Sequence, residues 1–330
     1  HTPSSEKEIE LLFLIDKIID RGSLRNKQSQ TYDIHFVCPT FLSSNFQDVK
    51  KSYTGTISSM VGDIFKNYIN SEPSSDNGKG LITNETTHGE QSVIIPNWNP
   101  LVAINWLAKR ASSSTNPMIC DYVFYQDLSG FHFRSITSMF DGQPVQTYTY
   151  GADNSIDFIR DHPNIEIDIE KSFTNIRKLV ASGFDRSRES IKGTYASSLL
   201  THDIINKSYK TTPYKYLDDF KNKPSLNGNT ILSDGNIYSD KIGSKNYFVP
   251  LHINMYGEPS TSEMNSGNDG VETWLQRHDA QINQFVSSSI EIEVAGDSSR
   301  RVGDKILAVI NSFEGPDEQG RGKVDHLLTG

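Results

Sequence analysis

The carboxylates have the most suggestive spacing in this chain. Glu166, Asp168 and Glu170 alternate with Ile165, Ile167 and Ile169, and Glu291 and Glu293 alternate with Ile290, Ile292 and Val294. Residues i and i+2 of a strand point to the same side, so each set is a row of acids on one strand face. A glycosidase sets two carboxyl groups about 5–9.5 Å apart across a sugar bond, and neighbours on one strand face fall in that range. The same rows are also what a half-buried strand shows to solvent, and the isoleucines between them supply the buried side. The solvated face is the simpler reading; a paired-carboxylate hydrolase is the competing one.

Other chemistries find little purchase. The nine histidines are scattered, no two within ten residues, which excludes a helical HExxH zinc site. Cys38 and Cys120 make neither a disulfide framework nor a metal-ligand spacing and suit a reducing compartment. Gly320-Arg-Gly322-Lys323 is too short for a phosphate loop, and no GxSxG elbow occurs. Asn84-Glu-Thr86 and Asn206-Lys-Ser208 match the glycosylation tripeptide without a secretory context. His202-Asp203 reads as turn chemistry rather than a catalytic pair, and Trp98, Trp106 and Trp274 read as core packing rather than sugar stacking. The expectation is a protein with no catalytic, cofactor-binding or metal residues.

Composition narrows the class further. The net charge of −9, with a pI near 5.5, argues against a dedicated nucleic-acid binder. Gly 23 and Pro 13 exclude collagen-like and low-complexity chains. An apolar fraction of 35% builds thin, surface-rich cores in which aromatics supply much of the burial. The 330 residues suit two or three domains. No stretch approaches about 18 consecutive apolar residues, so membrane insertion is not expected. The ends at His1 and Gly330 read as cut from a longer protein.

The elements that would position these residues switch between periods. Ile9–Ile19 reads as a buried strand, and Thr31–Val37 as a half-buried one with Tyr32, Ile34 and Phe36 on one face. Ile57, Met60, Val61, Ile64, Phe65 and Tyr68 form the stripe of an amphipathic helix over 56–70. Asn99 followed by Pro100 predicts a sharp helix start. Asp121–Gln126 and Phe131–Ile136 flank a Gly-containing turn and read as a hairpin. Val145–Tyr150, Tyr247–Leu251 and Lys305–Ile310 read as strands, within a loop-rich excursion over 209–270 in the second case. The spacing of Val271, Trp274, Leu275, His278, Ile282 and Phe285 predicts a helix over 271–286.

Three segments in this order carry a resemblance: Tyr53-Thr-Gly-Thr-Ile-Ser-Ser-Met-Val-Gly-Asp-Ile-Phe, Asn97-Trp-Asn-Pro-Leu-Val-Ala-Ile-Asn-Trp-Leu-Ala-Lys-Arg-Ala, and Tyr122-Val-Phe-Tyr-Gln-Asp-Leu-Ser-Gly-Phe-His-Phe-Arg-Ser-Ile. With Gly193-Thr-Tyr-Ala-Ser-Ser-Leu-Leu-Thr-His-Asp-Ile-Ile-Asn-Lys and Ile290-Glu-Ile-Glu-Val-Ala-Gly-Asp, the chain resembles the baseplate hub subunit of T-even-type contractile-tailed bacteriophages. The tail-hub part of the type VI secretion spike protein VgrG is a more distant likeness. The start of the first barrel and a final strand pair of that family are missing here.

The resemblance implies a mixed, β-dominated (α+β) fold: two β-barrels joined by an α/β domain. On this chain that places the remainder of the first barrel at 1–52, the α/β domain at 53–150 and the second barrel at 151–330. It implies a structural virion protein of the tail baseplate, assembled in the host cytoplasm, with no enzymatic activity and no cofactor. The expected partners are two further copies in a homotrimer, a spike below, and tail tube or tape-measure proteins above. The trimer contact is expected at an edge strand or the 271–286 helix. DNA would pass through the channel without specific binding, and Glu166, Asp168, Glu170, Glu291 and Glu293 are candidates for its lining. A cell-wall glycan hydrolase and a receptor-binding tail protein are the alternatives.

Overall fold

The structure is a computed structural model and describes residues 12–23, 30–69, 80–140, 142–150, 173–183, 185–204, 207–223, 244–251, 270–287 and 289–310. Strands and helices are mixed, with strands dominant, as expected. Among the described residues the strands pair in sheets of two or three, and no closed barrel forms.

The chain enters through a hairpin of β1 (Leu14–Ser23) and β2 (Gln30–Val37). The register sets Ile15 opposite Phe36 and Ile18 opposite Ile34, with irregularities between Ile15 and Lys17 and between Ile19 and Gly22. Alternation along β2 adds Tyr32 to that face, while Lys17, Asp33 and His35 take the other. The buried strand expected over Ile9–Ile19 is not what forms. β1 starts at Leu14, and its Ile15 and Ile18 lie in the open at 59% exposure, as does Phe36 of β2 at 57%, because β1 and β2 pack chiefly on each other.

The main core follows. α1 (Pro39–Ser44) leads into β3 (Val49–Gly55), α2 (Ile57–Ile64) and one wide π turn over Phe65–Ile69. The Thr56 hydroxyl caps α2 by accepting from Ser59 N–H. Ile57, Met60, Val61, Ile64 and Phe65 are buried as their spacing predicts. The π turn breaks the 3.6 period at its end, so Ile69 is buried and Tyr68 only half so. β4 (Leu81–Asn84) and β5 (Gln91–Trp98) precede α3 (Pro100–Arg110). Asn99 serves two helices at once. Its Oδ1 accepts from Leu101 N–H at 2.9 Å, and its Nδ2 donates to the Ser44 carbonyl of α1 at 2.8 Å. β3 and β5 run antiparallel, and Val49, Tyr53, Val93 and Ile95 close the core from their side.

β6 (Tyr122–Gln126) and β7 (Phe131–Ser135) form the predicted hairpin, with β4 parallel to β7 on the other side. The turn between them needs glycine at 130, where φ is +153°. A Cβ there would sit 2.6 Å from the Ile82 side chain and 2.8 Å from the Gly80 carbonyl oxygen.

β8 (Gln146–Tyr150) pairs with β14 (Ile306–Ile310) in parallel, and β9 (Lys178–Ala181) with β13 (Ile290–Glu293) antiparallel. α4 (Arg186–Lys192) leads into a three-stranded sheet whose centre is β10 (Ala196–Asp203). β11 (Ser208–Lys215) is antiparallel to β10, α5 (Tyr216–Phe220) follows it, and β12 (Asn246–Leu251) is parallel to β10. α6 (Val271–Ser287) covers the inner face of that sheet, where Val271 and Trp274 meet Leu199 and Cys120.

Candidate functional site

Of the five acidic residues singled out, Glu166, Asp168 and Glu170 lie outside the described residues. Glu291 and Glu293 sit on β13 and are exposed, as a solvated row should be. Their face of the ladder also carries Val180 and Lys178, with Lys178 directly across from Glu293. The opposite face sets Ile290 and Ile292 against Ala181 and Leu179.

His202-Asp203 does not form a turn. Both residues end β10, and alternation sends Asp203 to the buried side and His202 to the outer face. Trp98 and Trp106 meet edge to face at 5.4 Å beside the main core, and Trp274 is buried, so all three pack as expected. The Asn84 amide of one tripeptide donates to the Ser58 carbonyl at 3.0 Å, a link from β4 to α2.

Three polar constellations form that spacing alone did not reveal. The first holds the tip of the β6–β7 hairpin. Asp127 Oδ1 accepts from the Ser129 and Gly130 N–H groups at 2.7 and 3.1 Å and from the Ser129 hydroxyl. His132 Nε2 lies 3.1 Å from the same oxygen, and its Nδ1 is 3.0 Å from Thr83 Oγ1 on β4. A carboxylate only accepts, so Nε2 donates to it, while Nδ1 and the Thr83 hydroxyl share the other hydrogen bond of the ring. Burial pushes the Asp127 carboxyl up, but the bonds from Ser129, His132 and the turn amides outweigh it and hold the group at about 2.

Serine, histidine and aspartate are therefore in contact, yet not in the order of a nucleophilic relay. That relay sets hydroxyl and carboxylate on opposite ring nitrogens. Here Ser129 and Asp127 share Nε2, and the serine proton points at the carboxylate. The arrangement fastens the turn to β4. The Asp-Leu-Ser-Gly turn was visible in the sequence; the join to Thr83, 49 residues away, was not.

The second constellation is built on Glu85. Its carboxylate accepts from Ser135 N–H at 2.8 Å, from the Ser135 hydroxyl and from the Tyr122 hydroxyl at 3.0 Å. Burial first, and then the Glu85 charge, push the Tyr122 hydroxyl well above its ordinary value. This joins the segment after β4 to both strands of the hairpin.

The third is a buried polar seam between the segment before β6 and α6. Gln281 accepts from Cys120 N–H at 2.8 Å and donates to the Met118 carbonyl at 2.7 Å, and His278 Nδ1 meets the Cys120 carbonyl at 2.7 Å. Arg277 donates to Asp219 at 3.2 Å from the same helix. Burial pushes the Cys120 thiol up to about 12, which makes it an inert packing group. Burial likewise raises the carboxyls of Asp121 and Asp219 and lowers the Lys223 ammonium. Among the described residues, no group of three or more His, Cys, Asp or Glu is placed to hold a metal ion. Nor is any helix of the described residues long and apolar enough to cross a membrane.

No family model matches the sequence, and no curated protein matches it. Among solved structures, the chain is similar to the tail protein from Neisseria meningitidis MC58. That likeness has a TM-score of 0.45 and 10% identity, and covers 94% of this chain and 72% of the other.

Proposed function

We propose that this chain is a structural subunit of a phage tail baseplate hub, a homotrimer that links the tail tube to the central spike around a DNA channel. The observation that carries the reading is the bare face of the β1–β2 hairpin. Ile15, Ile18, Tyr32 and Phe36 leave roughly 400–500 Å² of apolar surface open, about the apolar share of the roughly 800 Å² that one partner of a stable interface buries. A two-stranded hairpin is marginal in water by itself. Covering that face removes apolar surface from water, which favours association. An assembly subunit carries such a face because its neighbours complete it.

The stripe of α6 is already used inside the chain against the β10 sheet, which moves the proposed trimer contact from that helix to the hairpin. The segment resemblance supplies the threefold ring and the spike and tube partners. In that ring, exposed carboxylates such as Glu291 and Glu293 would face the channel and repel the duplex weakly, where a basic lumen would hold it.

Sedimentation equilibrium of the protein, with and without Ile18→Asp/Phe36→Asp, tests this reading. A trimer that the double variant dissolves is expected. A monomer at every concentration would refute it. So would hydrolysis of cell-wall glycan that Glu291→Ala removes.

A further inference from the structure

The sheet of β11, β10 and β12 has one face under α6 and one face that no described element covers. Alternation and register assign the open face in three rows: His202 with Tyr209 and Pro250, Leu200 with Thr211 and Phe248, and Ser198 with Pro213 and Asn246. Tyr209 is 68% exposed and Phe248 61%. The His202 ring lies between them, 6.3 Å from each ring centre. The three rows contain no Asp, Glu, Lys or Arg. Lys210 belongs to the other face, where it pairs with Glu272, and Lys215 stands at the far end, across from Ala196.

We infer that this face is a binding platform for a neutral oligosaccharide of two or three pyranose rings. A pyranose has an apolar C–H face and a hydroxyl rim. The platform offers the matching pattern, the exposed Tyr209 and Phe248 rings on either side of His202, which stands edge to face with Tyr209 at 80° and tilts 40° from Phe248, bordered by the hydroxyl and amide groups of Ser198, Thr211 and Asn246. Other occupants fit less well. Single-stranded nucleic acid needs a cationic groove beside its stacking rings, and these rows have none. An added strand needs free N–H groups along an edge, and each edge strand here has a proline, Pro213 on β11 and Pro250 on β12. A second copy of the chain needs roughly 800 Å² per partner. Three rows across three strands, spaced as strands are, give roughly 300–400 Å².

This binding role is independent of the hub assembly, which uses the β1–β2 hairpin. The test is isothermal titration of the full chain with chitotetraose, cellotetraose and maltotetraose, each to about 10 mM. At least one is expected to bind with a Kd of about 1 mM or tighter. Tyr209→Ala/Phe248→Ala should weaken that binding at least about tenfold, with an unchanged circular dichroism spectrum because both side chains are exposed. Tyr209→Phe should retain binding, since stacking needs the ring and not the hydroxyl. Failure of all three sugars to bind overturns the inference, as does binding that the double variant leaves intact. It is equally overturned if the double variant instead abolishes oligo-dT binding or self-association.

Discussion

Asp127→Asn removes a charge that four donors converge on, and its cost can be worked from the structure. The carboxyl titrates at about 2 instead of its ordinary 3.8, because the turn amides, the Ser129 hydroxyl and His132 stabilise the ionised form. That difference corresponds to about 2 kcal/mol of folded-state stability. The side chain is nearly buried, so solvent screens little of it. The folded value lies below the unfolded one, so the contribution is complete above about pH 4 and drains away as pH falls through about 2. Asparagine keeps one acceptor oxygen but turns an NH₂ group toward donors. At pH 7 the variant should therefore lose about 2 kcal/mol in urea unfolding, with an unchanged m-value. The gap to wild type should shrink steadily between about pH 4 and pH 2.5. A loss below about 0.5 kcal/mol at pH 7, or a gap that stays constant down to acid pH, would refute the assignment of the turn to a charge-assisted cluster.

Gly130→Ala should destabilise by about 2 kcal/mol or more, read as a lower melting temperature, because its Cβ meets the Gly80 carbonyl and Ile82 at a φ that disfavours L-residues. Asn99→Ala should cost about 1–2 kcal/mol in the same measurement, with loss of the α3 cap and of the bond to α1. Titration of the native protein with a thiol-specific disulfide reagent at pH 8 should modify Cys38 and leave Cys120 intact until denaturant is added, since Cys120 is fully buried and its thiol is pushed up to about 12.

Local pattern was enough for the three longest helices and for one hairpin, but not for the short helices α1, α4 and α5. The stripes of α2, α3 and α6 each lie within one short window, and burial of one face follows directly from the 3.6 period. The Asn99-Pro100 start needed only two residues, and the Asp127–Gly130 turn only four. The π turn at Phe65–Ile69 departed from the pattern because a wider turn repositions residues that a constant period places elsewhere. Of the acidic rows, the β13 pair is exposed as alternation predicts. Whether such a row borders a channel depends on where other chains lie, which no periodicity records.

Sequence alone therefore determined the elements whose reasons are local: amphipathic helices, capped starts, tight turns and the alternation of strands. Tertiary structure decided which strands met and which faces stayed bare. The β1–β2 hairpin has the alternation of a core strand pair, yet it stands open because no described element packs against its apolar face. The parallel pairings of β4 with β7 and β8 with β14 join segments far apart in the chain. The contacts of His132 with Thr83 and of Gln281 with Cys120 do the same. Pairings of this kind are set by loop closure and by the competition of all other faces for the same partners. The ring platform of Tyr209, His202 and Phe248 exists only because β10 lies between an antiparallel and a parallel neighbour in this register, which brings the distant Phe248 onto one surface with His202 and Tyr209.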